Sequence, residues 1–190
     1  ELTFNANGEV TGVGNVSNPV VVEGEADPIV EREVVAPVSA YLGNLDNINV
    51  ALTEVTLDGT RSLVRTQETN QGNLISDAIR WQANEIALQR GIDTAEVGLA
   101  NGGGIRNSVV IAADDSVTLL NTFDILPFGN LVTIVPDVTH ARFKEILENA
   151  VSRVEFTDGR FAQVSGFRFV YDTTNAARQL ARIATGWRLR

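Results

Sequence analysis

Three consecutive glycines are the clearest chemical signal in this sequence. Gly102, Gly103 and Gly104 follow Asn101 at the end of an apolar run, and Arg106 comes two residues after them. Glycine loses more backbone entropy on folding than other residues, so a run of glycines indicates a positive φ or a close approach to the backbone. Arginine adds a planar, permanently charged donor suited to phosphate or carboxylate. The pattern is compatible with an anion-binding loop and equally with a tight turn beside a surface arginine.

Two further segments could bind a ligand. Phe128 lies in a predicted turn, where an aromatic ring either anchors the loop to the core or offers a flat face for stacking. The polar tract 69–77 opens a predicted helix, and free backbone amides at a helix N-terminus attract anions. That tract is also compatible with a simple capping motif in which Asp77 is a solvated charge. For Phe128 and for the tract 69–77, the sequence leaves open both ligand binding and a purely structural role.

Composition excludes several kinds of site and partner. The chain has no Cys and one His, His140, so cysteine nucleophiles, thiolate zinc sites and His-rich metal centres are excluded for it. His140 is predicted to be a surface residue. The formal net charge is −9, which opposes binding to nucleic acid or to an anionic membrane. The single Lys, Lys144, does not follow a glycine loop, and no apolar run is long enough to span a membrane. We therefore expect no P-loop, no nucleic-acid partner and no membrane insertion in this chain.

Helical periodicity predicts three helices that could position these residues. An Asp-Pro pair, typical of a helix start, predicts a helix over 27–42 that Pro37 kinks. A second helix is predicted over 70–90, with a threonine or asparagine cap before it and an Arg-Gly end. The third covers 139–154, where apolar residues recur on one face.

Runs rich in β-branched residues predict strands between the helices. An Asn-Gly turn predicts an opening hairpin within residues 1–22. The further predicted strands cover 50–57, 97–100, 117–120, 131–135, 161–171 and 179–185. Strands and helices alternate without a regular βαβ order, so the predicted fold class is α+β or mixed α/β, with a mixed β-sheet and packed helices.

Four runs, in this order and spacing, carry a family resemblance. They are residues 68–78, 101–106, 126–130 and 159–172, which read ETNQGNLISDA, NGGGIR, LPFGN and GRFAQVSGFRFVYD. Together they resemble the C-terminal domain of the 5′-nucleotidase family, which includes bacterial UDP-sugar hydrolases and 2′,3′-cyclic-nucleotide phosphodiesterases. The resemblance implies a substrate-binding domain over 47–190 with that family's fold. It also implies an interdomain helix at 27–46 and, in residues 1–26, the final hairpin of an N-terminal metallophosphatase domain.

The resemblance implies roles for individual residues. In this family two divalent metal ions, held by the N-terminal domain, activate the water that attacks phosphorus, and the C-terminal domain holds the nucleoside. Asn101 and the three glycines would line the substrate pocket, Arg106 would bind ribose or phosphate oxygens, and Phe128 would stack on the base. Asn73 stands where some relatives have an arginine, and Arg80 on the same helix is a further candidate. No catalytic residue and no metal ligand is assigned to this chain.

These roles define the expected function. The full-length protein is expected to be an extracellular or periplasmic phosphoric ester hydrolase that converts nucleotides to nucleoside and phosphate. This chain alone is expected to be inactive, with a nucleotide or nucleoside and the N-terminal catalytic domain as its partners. The family's second stacking aromatic lies in a later segment that this sequence does not reach, so the substrate domain is expected to be incomplete at its C-terminus. The alternative is a non-catalytic nucleoside-binding or surface-interaction module on the same fold.

Overall fold

Helices and short strands alternate along the chain, as the α+β prediction requires. The computed structural model describes residues 2–14, 24–172 and 174. It divides the chain into two compact units, Glu1–Ala40 and Tyr41–Arg190. The described strands form four two-stranded antiparallel sheets in place of the predicted mixed sheet.

The first unit opens with the predicted hairpin. Strands β1 (Leu2–Phe4) and β2 (Val10–Val13) pair antiparallel. Asn5 Oδ1 accepts two backbone N–H groups of the connecting turn, and Gly8 supplies a φ of 80° there. The hairpin prediction is thus confirmed through residue 13, and most of its remainder lies outside the described residues.

A helical stretch begins at the predicted Asp-Pro signal. Asp27 Oδ1 accepts backbone N–H groups of helix α1 (Pro28–Val30), which continues as a π-helical turn (Glu31–Val35) and then as α2 (Ala36–Asp46). Pro37 has no N–H to donate to the carbonyl four residues earlier, and the π-helical turn ends two residues before it. The disturbance expected at Pro37 therefore takes the form of a π-helical turn. The helix also extends beyond residue 42, its predicted end.

Two of the small sheets in the second unit come from one predicted strand. Strand β3 (Asn49–Leu52) pairs with β7 (Ser116–Thr118), whereas β4 (Leu57–Asp58) pairs with β6 (Val110–Ile111). The hydroxyl of Thr53 donates to the carbonyl two residues on, at 2.6 Å, and so turns the chain between β3 and β4. The prediction of one continuous strand over residues 50–57 is therefore wrong.

The third sheet and a long helix form the centre of the second unit. Strand β5 (Gly98–Asn101) pairs with β8 (Ala162–Ser165), and helix α3 (Asn70–Arg90) packs against both. Thr69 caps the start of α3, and Gly91 ends it in a left-handed conformation, which confirms the predicted boundaries. The buried apolar cluster comprises Leu57, Val64, Ile75, Ala100, Ile105, Ile111 and Ile125.

Two of the predicted strands after β5 are wrong in part or entirely. Helix α4 (Leu119–Ile125) begins where a strand was predicted, because Thr118 and Asn121 form a reciprocal capping box. Residues 131–135 form no strand, and no described strand pairs with them. Leu131 is 92% exposed, so high β propensity here has neither a partner strand nor a core to pack against.

The last long helix agrees with its prediction, whereas the strand after it is shorter than predicted. Helix α5 (His140–Val151) has the predicted apolar face and is followed by a 3₁₀ turn (Val154–Phe156). The strand predicted over 161–171 is confirmed only as β8, because Gly166 turns the chain with a φ of 85°. The strand predicted over 179–185 lies outside the described residues.

Candidate functional site

The three glycines form a 3₁₀ turn (Gly102–Gly104) at the end of β5. None of them has a positive φ, so close packing is the reason for their presence. Gly103 N–H donates to Gly159 O at 2.8 Å, and a Cβ on Gly103 would lie 2.9 Å from Gly159 Cα. A Cβ on Gly102 would lie 2.1 Å from Val64 O. The glycines therefore allow the turn to contact two other backbone segments directly.

Asn101 and Arg106 flank this turn. Asn101 Nδ2 donates to Gly159 O at 3.2 Å, which adds a side-chain contact to the same close approach. Arg106 Nη1 donates to Gly103 O at 3.3 Å, and its backbone N–H donates to Ile125 O at the end of α4. The half-buried guanidinium is thus held beside the glycine turn.

Phe128 extends the site on the side of Arg106. Arg106 Cζ lies over the Phe128 ring, 5.5 Å from its centroid, in a cation–π contact. The ring is 54% exposed, which does not fit the core-anchor alternative left open by the sequence. Phe128 therefore presents aromatic surface to solvent next to a fixed positive charge.

Arg65 is a site residue that sequence reasoning missed. It is 7% exposed, and its Nη1 donates to Thr157 O at 3.4 Å. Its Nε is buried and has no hydrogen-bond partner among the described residues. Burial lowers the pKa of Arg65, the positive charges of Arg61 and Arg106 lower it further, and Asp158 opposes them. A buried guanidinium with an unused donor fits an anionic ligand, because unpartnered buried donors destabilise the protein.

Arg61 belongs to the same cluster of arginines. Its backbone N–H donates to the hydroxyl of Ser108 at 3.1 Å. Ser108 and its neighbour Asn107 both have positive φ, 48° and 60°, and this unusual pair directly follows Arg106. The signal that could have found Arg61 and Arg65 was their spacing of four residues in a turn that follows an Asp-Gly pair.

Asp158 is the carboxylate that borders these arginines. It forms ion pairs with Arg160, at 3.2 Å, and with Arg153, at 3.3 Å. The pKa of Asp158 is lowered, chiefly because the Arg160 backbone N–H donates to the carboxylate, against an opposing effect of desolvation. The side chain of Arg160 and the charge of Arg153 lower it further. Asp158 is thus already engaged by arginines outside the trio of Arg61, Arg65 and Arg106.

The two remaining candidates have contacts elsewhere. Asn73 Nδ2 donates to Glu68 Oε1 at 2.7 Å on the surface of α3. Arg80 Nη1 donates to Glu96 O at 3.2 Å, and the Arg80 side chain lies against Gly98. Gly98 and the glycine turn are at opposite ends of β5, so the structure does not bring Arg80 to the turn.

Metal ligands are not gathered in the part of the chain that the structure describes. Among these residues, no group of three or more His, Cys, Asp or Glu side chains is placed to hold a metal ion. His140 is exposed at the start of α5. No helix formed by the described residues is long and apolar enough to cross a membrane.

The arrangement suits a ligand with two chemical parts. Arg61 and Arg106 lie close enough to Arg65 to lower its pKa, and Arg65 has an unpartnered buried donor, so the site favours anionic oxygens. The half-exposed ring of Phe128 favours a flat aromatic group beside them. The glycine turn has no side chains, so it adds only backbone atoms to this group of residues.

Comparison with known proteins shows which family the chain resembles. The family model described as "5'-nucleotidase, C-terminal domain" matches residues 45–186. A Bacillus subtilis (strain 168) relative named trifunctional nucleotide phosphoesterase protein YfkN is 34% identical over 92% of this chain and 11% of its own length. A Homo sapiens 5′-nucleotidase is 28% identical over 90% of this chain and 30% of its own length.

A solved structure agrees with these relatives. The crystal structure of a 5′-nucleotidase precursor from Thermus thermophilus has a TM-score of 0.61 and 30% identity. It covers 93% of this chain, which in turn spans 32% of that protein. The chain thus corresponds to less than a third of the length of each of these three proteins.

Proposed function

The chain belongs to the 5′-nucleotidase C-terminal domain family, and we propose that it is the nucleotide-binding domain of a phosphoesterase that releases phosphate from nucleotides. The observation that carries this proposal is the unpartnered Nε of the buried Arg65, beside Arg106 and the exposed ring of Phe128. A nucleotide supplies both an anion for the arginines and a base for the ring.

The arginines bind the anionic and polar oxygens of the nucleotide in this proposal. Arg65 is fixed by burial and its Nε has no hydrogen-bond partner among the described residues, so an anion bound beside the guanidinium compensates a buried positive charge. Arg106 binds ribose or phosphate oxygens while it keeps its bond to Gly103 O. Each such charge-assisted bond is stronger than a neutral one.

Phe128 stacks on the base, and the backbone of Asn101 and the glycine turn lines the pocket. Arg106 lies over one face of the ring, which leaves the opposite face for the base. The turn contributes backbone atoms only, because residues 102–104 carry no side chains and the Cβ positions of Gly102 and Gly103 are filled by the Val64 and Gly159 backbones. Asn73 and Arg80 are weaker candidates in this proposal, because their described contacts are with Glu68 and Glu96.

The catalytic metals belong outside this chain in our proposal. The described residues do not fit a site for two divalent ions, since they contain one exposed His and no suitable cluster of ligands. A separate N-terminal domain would hold such ions, which would activate the attacking water. We propose that residues 1–26 and 27–46 are the last hairpin of that domain and the interdomain helix. The isolated chain is then inactive and the complete enzyme is extracellular or periplasmic.

The decisive variant for this proposal is Arg65→Ala in the complete phosphoesterase. We expect the KM for AMP to rise by about 10- to 100-fold, the range for losing a charge-assisted hydrogen bond. The matched control is Arg90→Ala, which removes an exposed arginine at the far end of α3 and should leave KM unchanged. Phosphate release in the presence of Mn²⁺ is the measurement.

Other outcomes of this assay contradict the proposal. Equal KM values for the Arg65→Ala variant and the unchanged protein would remove Arg65 from the substrate site. Nucleotide binding without metal-dependent phosphate release in the complete protein would support the non-catalytic binding module instead. Competition by UDP-sugars or 2′,3′-cyclic nucleotides against AMP distinguishes the subtypes of this activity.

A further inference from the structure

The segment that carries Arg61 and Arg65 has little structure of its own. Residues 60–67 form consecutive turns, with backbone hydrogen bonds such as those from Leu63 and Val64 N–H to Thr60 O. Turns of this kind leave many carbonyl groups without partners inside the segment. The position of the Arg65 side chain therefore depends on groups from elsewhere in the chain.

Gln163 of β8 supplies most of those groups. Its side chain is 1% exposed, and its Nε2 donates to Val64 O at 3.0 Å and to Gln67 O at 2.8 Å. Its Oε1 accepts the Thr69 backbone N–H at 3.4 Å, at the cap of α3. One buried amide thus uses both of its donor hydrogens and its acceptor to hold the backbone on both sides of Arg65.

The first turn of α3 is shaped to admit this amide. A Cβ on Gly72 would lie 2.1 Å from Gln163 Oε1, so only glycine leaves room for it. Glycine is an unfavourable residue within a helix, and its presence here is explained by the approach of Gln163. The contact therefore requires glycine at position 72 of α3 as well as Gln163 itself.

A second anchor acts on a carbonyl that follows Arg65. Tyr171 OH donates to Thr66 O at 2.8 Å, and the Tyr171 ring packs edge-on against Phe161, which precedes β8. Val64 and Thr66 are the two neighbours of Arg65, so the 161–171 segment holds a carbonyl group on each side of it. The guanidinium can then be buried in one place although its own segment is irregular.

We propose that Gln163 is a positioning residue for the anion site. It holds the backbone on both sides of Arg65 and so fixes the buried guanidinium beside Arg61 and Arg106, and this role rests on the proposed function of Arg65. Gln163 itself is too deeply buried to contact a nucleotide. Its effect on binding is therefore indirect and passes through Arg65.

The test compares Gln163→Leu and Gln163→Glu with the control Ser165→Ala. Ser165 lies on the same face of β8, is similarly buried, and donates to Asp77 of α3, so its loss destabilises the same strand without touching residues 60–67. Heteronuclear NMR of the Arg65 Nε–H signal and titration with AMP are the readouts, with melting temperature measured alongside.

Both Gln163 variants should shift or broaden the Arg65 Nε–H signal before any ligand is added. Both should also weaken AMP binding by about tenfold. Ser165→Ala should lower the melting temperature and leave the Arg65 signal and the AMP affinity unchanged. If Gln163→Leu does not fold, Gln163→Glu retains the side-chain size while removing both N–H donors, and it decides the result.

Two results overturn the inference, and each differs from failure of the proposed function. An unchanged Arg65 signal in a folded Gln163 variant would show that Gln163 does not position Arg65. Equal losses of AMP affinity in the Gln163 variants and in Ser165→Ala would reduce Gln163 to a structural role. If instead Arg65→Ala binds AMP normally while the Gln163 variants do move the Arg65 signal, the proposed site is wrong and the positioning role stands without a ligand.

Discussion

Arg65 is the residue on which the proposed ligand site depends most. A buried guanidinium is costly unless its donors are used, and two other arginines increase that cost by repulsion. The described residues satisfy Nη1 through Thr157 O but leave Nε without a partner. In our proposal, an anion bound beside the guanidinium compensates the buried charge.

Arg106→Ala should impair the reaction and not the fold. The side chain is half-buried and makes one hydrogen bond, to Gly103 O, and one cation–π contact, to Phe128, among the described residues. In the complete enzyme we expect transition-state binding to weaken by about 2–4 kcal/mol, the range for a lost charge-assisted contact. The melting temperature should barely change. A large fall in melting temperature with unchanged kcat/KM would show that Arg106 is structural.

Asp158→Asn should change how the stability of the fold depends on pH in the acidic range. The folded-state pKa of Asp158 is lowered, so its carboxylate stabilises the fold above its ordinary pKa. That stabilisation is lost as the pH falls through the lowered value. Melting temperatures should therefore differ between the variant and the unchanged chain at neutral pH and converge in strong acid. A difference that stays constant across this range would contradict the ion pairs with Arg153 and Arg160.

At the scale of elements, the sequence predicted those whose ends carry strong local signals. Helix α3 was predicted because Thr69 and Gly91 cap it, and α5 because its apolar face is regular. Helix α4 was missed because two leucines after Thr118 continue a β-rich run, and only the Asn121 side chain closes the capping box. At the ends of α3 and α4, local hydrogen bonds and not propensity determined the element.

The candidate site was predictable in part for the same reason. The glycine turn, Arg106 and Phe128 stand out in the sequence because glycine runs and aromatic residues in turns are unusual. Arg65 was missed, because its burial depends on Gln163 and Thr157, which are more than ninety residues away. The spacing of Arg61 and Arg65 marks the pair in the sequence, but it does not show that Arg65 is buried by these long-range contacts.

The close packing of the glycine turn can be tested by substitution. Gly103→Ala should destabilise the domain by about 1–3 kcal/mol, since its Cβ would meet the Gly159 backbone at 2.9 Å. Gly104→Ala is the matched control, because its nearest contact is the Asn101 side-chain oxygen at 3.2 Å, which can rotate away. Chemical denaturation of both variants measures the difference. Equal destabilisation by the two substitutions would argue against the close approach of the two backbones.

For the chain as a whole, the charge distribution is compatible with the proposed preference for a small anion over a polyanion. The chain carries a formal net charge of −9, which repels nucleic acid, whereas Arg61, Arg65 and Arg106 concentrate positive charge at one place. A single nucleotide can use that local charge without meeting the acidic surface elsewhere.

The most direct test of the central claim is a titration of this chain with AMP followed by heteronuclear NMR. We expect binding in the millimolar range, because stacking on one ring and a few charge contacts must offset the lost translational freedom. The signals of Gly103, Arg65, Arg106 and Phe128 should shift together, and adenosine should bind more weakly than AMP. Phe128→Ala should remove the roughly 1–3 kcal/mol contributed by base stacking. Shifts confined to other parts of the chain, or unchanged AMP affinity in both Phe128→Ala and Arg65→Ala, would contradict the proposed nucleotide site.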